Sequence, residues 1–431
     1  MAAMSVGVRG PRGRLKVIHT QVVLRAGART PKRPLPQEAF WQATLPNDDL
    51  QRRLARVGVA GGSGARRVPR LSSSAGHLWG ELTTRGADEL HAAGLRLARW
   101  IRDRDEIAAK ALHLADGDDA DDIYSDIALT VPIDHAPGRR AELAARALIG
   151  GFLRPNGQGQ MRRVDIRMAA HEQLRIADPE RLFDGDDQDT RSGGSAAMDS
   201  AQDLAIDVEE VLGLSAGTLS DRPALAEILD VVDCAATFGL LPRGDLPEEV
   251  WHALFGAPRR DAHELVNAAD GGCAPAADAI GALLRLTILP CIRAARGESA
   301  RERLRVAVLP GFTLQCWIAA LGLVGPIGAW LPQAEGVVLE TVGDETGMAF
   351  VRFWVLRDSL ELRPRWHHEG GPVPVAALIA ALPRGTSEGF EASGASGLDA
   401  THGVAAGDVE LFNTVKQDRG TAGGLGKATP P

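Results

Sequence analysis

Apolar and β-branched residues run almost unbroken through residues 15–24 (LKVIHTQVVL) and stop at a basic loop, RAGARTPKR. A run of this kind, closed by Gly and Pro, predicts a buried strand that delivers its loop to one edge of a sheet. From 82 to 102 the period changes to that of a helix. Leu90, Ala93, Leu97 and Ile101 share one face, and Thr83 or Thr84 is placed to cap the start. Residues 127–131 predict a short strand and 139–152 an Ala/Leu helix. Further on, 304–309 predict a buried strand and 314–323 its helix, while 337–342 and 349–356 predict a closing hairpin turned at 343–347. Strands alternating with helices at both ends of the chain imply an α/β sandwich with a mostly parallel sheet.

The middle of the chain reads differently. Residues 160–290 show helical periodicity and no clear strand, as in ALAEILDVVDCAAT at 224–237. The expected organisation is an N-terminal extension (1–14), an α/β core in two pieces (15–155 and 295–390), an α-helical cap insertion (156–294) and an extended tail (391–431). Within the insertion, 184–200 (DGDDQDTRSGGSAAMDS) reads as an acidic surface loop, like 116–122 (DGDDADD) before it. Neither has the spaced ligands and terminal Glu of a calcium loop. Residues 306–332 carry no charge and are long enough to span a bilayer. Pro310, Gly311, Gly322, Gly325, Pro326 and Gly328 divide them into strand, loop, helix and turn, so a buried core segment is expected rather than a transmembrane one.

Composition narrows the classes. Hydrophobic residues make up 45% of 431, enough for a sizeable core, and a net charge of −8 argues against a nucleic-acid binder. Cys234, Cys273, Cys291 and Cys316 include no CxxC pair, so neither a disulfide framework nor a zinc site is expected and a reducing compartment fits. The adjacent pair His367-His368 would point to opposite faces of a strand, which disfavours a metal site. No metal and no cofactor are expected. The first 37 residues hold eight Lys or Arg and no acid, as a mitochondrial presequence does. More than half of these charges lie in or after the first strand and so belong to the fold; a mitochondrial location is the expectation and a cytoplasmic one the alternative.

Arg25-Ala26-Gly27-Ala28-Arg29-Thr30-Pro31 resembles the RHGxRxP signature of the histidine acid phosphatases, and the flanking KVIHTQVVLR and KRPLP resemble the mitochondrial lysophosphatidic acid phosphatase branch. Leu82, Thr83 and Gly86, then Gly94, Arg96 and Leu97, resemble that family's second block. The strand and helix between 304 and 322 resemble the place of its His-Asp dipeptide. The resemblance spans about 15–385 and implies a phosphoglycerate-mutase-like three-layer sandwich with a helical cap. In that family a histidine attacks phosphorus, arginines hold the phosphoryl oxygens, and a His-Asp pair binds phosphate and protonates the leaving group.

Residue by residue, the resemblance retains Arg25 and Arg29, and Arg139 matches an arginine of the downstream block. Ala26 stands at the nucleophile, Ile133 at a third arginine, and Pro310 and Gly311 at the His-Asp pair. The implied protein has no catalytic residue. It is a pseudoenzyme acting as an accessory or structural subunit among other protein subunits, without nucleic acid. The alternatives are a sensor binding a phosphate-like anion or lipid headgroup through Arg25 and Arg29, and a hydrolase using another mechanism. For the latter His135 is the candidate stand-in, since His19 lies too far up the strand. The two arginines themselves have two readings, ion pairs with structural carboxylates or a retained anion site.

Overall fold

The computed structural model describes residues 15–55, 57, 78–104, 129–133, 139–152, 166–170, 194–219, 225–242, 244–297, 304–324, 331–357, 360–367 and 371–383. The N-terminal extension, the tail, the acidic loop at 116–122, His135 and His368 lie outside these residues.

Among the described residues nine strands form one mixed sheet. The central strand β1 (Lys16–Arg25) pairs in parallel with β4 (Leu304–Leu309) and antiparallel with β6 (Gly336–Gly343). Beyond β4 the sheet continues in parallel through β2 (Leu129–Ile133) to β3 (Ile166–Ala170). Beyond β6 it continues antiparallel through β7 (Ala349–Val355) and β8 (Glu361–Pro364) to β5 (Leu323–Val324), and β9 (Val373–Pro374) also pairs with β7. The β6–β7 hairpin turns where Asp344 Oδ1 accepts from Thr346 and Met348 and Gly347 takes a positive φ of 81°.

Helices cover both faces, giving three layers. Val22 and Leu24 of β1, with Leu304, Val306 and Val308 of β4, pack under α2 (Asp48–Ala55), α3 (Thr84–Arg104) and α4 (Arg139–Phe152). Val23, Ala307 and Leu309 face the opposite way. They pack against the long α7 (Glu248–Asp270), against α8 (Ala274–Thr287), α9 (Leu289–Ala295) and α10 (Gly311–Ala320), and against the short α11 (Val375–Ala380). Alternate residues of one strand thus fill two cores, as the pleat requires. Burial on both faces also explains why β1 and β4 read as unbroken apolar runs.

A third core lies apart from the sheet. It joins α1 (Glu38–Thr44), α5 (Gly194–Val211), α6 (Leu225–Thr237) and the first half of α7 around Trp41, Val208, Val232 and Leu254. Helix α7, about 35 Å long, therefore runs between cores: Val250 and Leu254 belong to the third, and Ala262, Leu265 and Ala269 to the sheet.

Three expectations need correction. Strand β3 lies inside the segment expected to be wholly helical, because IRMAA is too short a run to stand out from helical surroundings and draws its pairing from β2. Strand β2 runs two residues further than expected, since its register carries through Pro132, opposite Ala169. Helix α5 begins at Gly194, inside the stretch expected to be a loop through 200, because the alanine-rich run after the glycines continues straight into the amphipathic segment.

The glycines of the second block have a packing cause. A Cβ on Gly94 of α3 would lie 2.0 Å from the Leu148 carbonyl oxygen of α4, and one on Gly151 of α4 would lie 1.9 Å from that of His91. Backbones in this contact admit no side chain. Gly94→Ala and Gly151→Ala are each expected to cost about 3 kcal/mol through overpacking, read as a lower urea midpoint. Gly213→Ala, where nothing lies within 4 Å, is limited to the left-handed backbone cost (φ 63°), about 1–2 kcal/mol.

Candidate functional site: a basic loop at the sheet's carboxyl edge

Strands β2, β4 and β1 are parallel neighbours, and their carboxyl ends carry the positions singled out by the sequence. Arg25 ends β1, paired with Leu309, and Ala26 follows with its N–H donating to the Leu309 carbonyl at 3.1 Å. Pro310 and Gly311 follow Leu309 at the start of α10, where the Leu314 N–H donates to the Pro310 carbonyl. Ile133 is the last residue of β2, whose Thr130 pairs with Arg305 of β4. Carboxyl ends of parallel strands where the strand order reverses are where open α/β sheets hold ligands. Arg139 begins α4.

The loop after β1 is clamped onto the start of α3. Thr83 accepts from the Gly86 N–H at 3.1 Å, capping that helix, and donates to the Ala28 carbonyl at 2.9 Å. Gly27 and Gly86 meet backbone to backbone, and a Cβ on Gly86 would lie 2.0 Å from the Ala28 carbonyl oxygen. Glu89 Oε2 accepts from the Ala28 N–H at 3.1 Å. On the far side, the Ala334 N–H donates to the Ala26 carbonyl. Ala334 has φ 56°, the one positive φ outside glycine among the described residues. Backbone strain of this kind gathers at sites.

The three arginines of the loop are each matched with an acid of α6. Arg25 pairs with Asp233, Arg29 with Asp230, and Arg33 with Glu227 at 3.0 Å. The three acids are spaced three apart, so they occupy one helical face, and they meet the arginines in reverse order. Asp230 also accepts from the Lys32 backbone N–H at 2.8 Å. Arg25 Nη1 donates to the Leu331 carbonyl at 2.8 Å, and Gln333 Nε2 donates to the same Asp233 oxygen at 3.0 Å. The zipper is deepest at Arg25 and opens outward, to a Glu227 side chain 52% exposed. Arg85 extends the contact by donating to the Thr237 carbonyl at the end of α6.

Of the two readings of Arg25 and Arg29, the structure displays ion pairs with carboxylates. The sequence reading missed those carboxylates, although a signal exists: an acidic stripe at 227, 230 and 233 on an otherwise apolar helix. Other candidates sit elsewhere. His19 is fully buried in β1. His367 follows β8 and stacks edge-on with Trp366. None of the four cysteines is in a disulfide, and among the described residues no three His, Cys, Asp or Glu side chains gather to hold a metal. Among those residues no single helix is long and apolar enough to cross a membrane. The bent pair α8–α9 is together long and apolar, with its apolar residues packed on the sheet.

No protein-family model matches the chain, and no curated protein matches it. Solved structures similar to it include phytases and a multiple inositol polyphosphate phosphatase. The apo phytase of Hafnia alvei is 12% identical, with 88% of this chain and 98% of that one covered and a TM-score of 0.47. The phytase of Citrobacter braakii is 13% identical, with coverage of 85% and 97% and a TM-score of 0.48. The multiple inositol polyphosphate phosphatase of Bifidobacterium longum in complex with phosphate is 11% identical, with coverage of 88% and 94% and a TM-score of 0.46.

Proposed function

We propose that this chain is a histidine-acid-phosphatase-like pseudoenzyme, an accessory or structural subunit of a larger, mitochondrial protein assembly. The observation that carries this reading is the chemistry at the sheet's carboxyl edge. Of the family positions, the two signature arginines remain, while the nucleophile is Ala26, the third arginine Ile133 and the His-Asp pair Pro310 and Gly311. Alanine forms no phospho-intermediate, and neither proline nor glycine gives a proton to a leaving alkoxide. Removing a nucleophile alone has cost about a million-fold in a well-studied hydrolase. A fold kept after its chemistry is gone retains a surface, and function is then carried by that surface.

Two experiments bear on the proposal. Ala26→His alone is expected to leave the chain inactive toward phosphomonoesters, because Ile133, Pro310 and Gly311 still supply neither charge nor proton. Restored turnover in that variant would show that those three positions do not block the chemistry, whereas turnover by the native chain would contradict the proposal. Native purification from mitochondria is expected to find the protein in a particle well above its own 45.6 kDa. Recovery as a free single chain would overturn the subunit role.

A further inference from the structure

We infer that a buried water molecule bridges Gln21 of β1 and Thr341 of β6 beneath α9. The site lies on the sheet face opposite α3, and neither residue is one of the family positions.

His19, Thr20 and Gln21 put three consecutive polar residues into the central strand, and Gln21 and Thr341 are both fully buried. Side chains alternate along a strand, so Gln21 lies on the face of Val23 and Thr341 on that of Leu339, toward the core that includes α9. Gln21 Oε1 accepts from the Cys291 Sγ–H of α9 at 3.9 Å, which sets this side chain under that helix. The Gln21 Nε2, with two N–H donors, and the Thr341 hydroxyl have no hydrogen-bond partner among the described residues. Exchanging the amide oxygen and nitrogen of Gln21 would leave an acceptor in the same place, so a polar atom stays unmet in either assignment. In the β1–β6 ladder Gln21 stands opposite Leu339 and Thr341 opposite His19. Gln21 and Thr341 are therefore diagonal neighbours, their backbones about 7–8 Å apart. The glutamine side chain covers part of that gap, and one water with a hydrogen bond of about 2.8 Å on each side covers the rest. Buried waters bind where two to four polar groups meet, and His19, buried on the same face beside Thr341, adds a third polar side chain. A buried donor left unmet is costly, whereas a bridging water restores its hydrogen bond.

Crystallography of the full chain is expected to show a water peak about 2.7–3.2 Å from both Gln21 and Thr341. A dry contact between them would overturn the inference. Urea unfolding of Thr341→Val tests the same point by sign, because valine keeps the branched shape and removes the hydroxyl. If a water meets that hydroxyl, the variant's midpoint falls below that of wild type at similar m. An unmet hydroxyl is a burden, so its removal would raise the midpoint, and that result would overturn the inference too. Gln21→Met is the second variant and should lower the midpoint in the same way. One shared water couples the two side chains, so Gln21→Met/Thr341→Val should lose less than the sum of the single losses. Strictly additive losses would mean that the two groups are met separately, and no bridging water could then be claimed.

Discussion

Asp233→Ala is expected to destabilise the fold by about 3–5 kcal/mol, the cost of leaving a buried charge without its partner. Arg25 is 7% exposed, and with Asp233 gone its guanidinium keeps only the Leu331 carbonyl among the partners described above. Gln333 loses its acceptor as well. Replacing both members, as Arg25→Met/Asp233→Leu, should recover most of the loss, because two apolar side chains owe no desolvation penalty. Urea unfolding measures both: the single variant should shift the midpoint far more than the double at similar m. A single variant within 1 kcal/mol of wild type would mean that the pair is solvated and the zipper of little consequence.

Glu340→Ala should be comparably severe, about 3–5 kcal/mol. Glu340 is buried in β6, where Oε1 accepts from Trp100 Nε1 at 3.1 Å and Oε2 from Trp354 Nε1 at 2.8 Å. The Arg104 guanidinium lies 4.1 and 4.2 Å from the centres of those two indoles and 3.9 Å from the carboxylate. Alanine would unpair two indole N–H groups and strip the cation of its counter-charge, while the cation–π contacts remain. Burial raises the Glu340 pKa, with Arg104 and the two indole N–H groups opposing it. A raised carboxyl pKa means that the folded state holds a proton the unfolded chain has released. Stability from this residue is therefore fully present below the ordinary Glu value and falls as pH rises from there through the raised value. Glu340→Gln should remove that slope, and an unchanged slope in denaturation curves across this window would contradict the assignment.

The sheet was legible where burial on both faces forced continuous apolar runs, as in β1 and β4, and where period changed abruptly, as at α3. It was less legible at β3, whose five residues carry no alternation of their own and acquire strand geometry only beside β2. The loop that holds Arg25 and Arg29 stood out because cations, glycine and proline follow an apolar run within a few residues. Its partners did not, since Asp230 and Asp233 lie some two hundred positions away and an acidic helix face ordinarily means solvent. Pairing between a loop and a distant helix is a property of the third core, which brings α6 over the loop, and no local pattern encodes it. The close glycines were readable as motif letters, but the reason for Gly94, contact with the Leu148 carbonyl, appears only when α3 and α4 are side by side.

On the proposed reading, the sheet edge keeps two arginines of a phosphate cradle without its chemistry. Phosphate release from p-nitrophenyl phosphate by the purified full chain tests this most directly, assayed from acid to neutral pH beside an Arg25→Ala/Arg29→Ala control. No release above that control is the result predicted. Turnover by the wild type that the control abolishes would place a working active site at this loop and contradict the account.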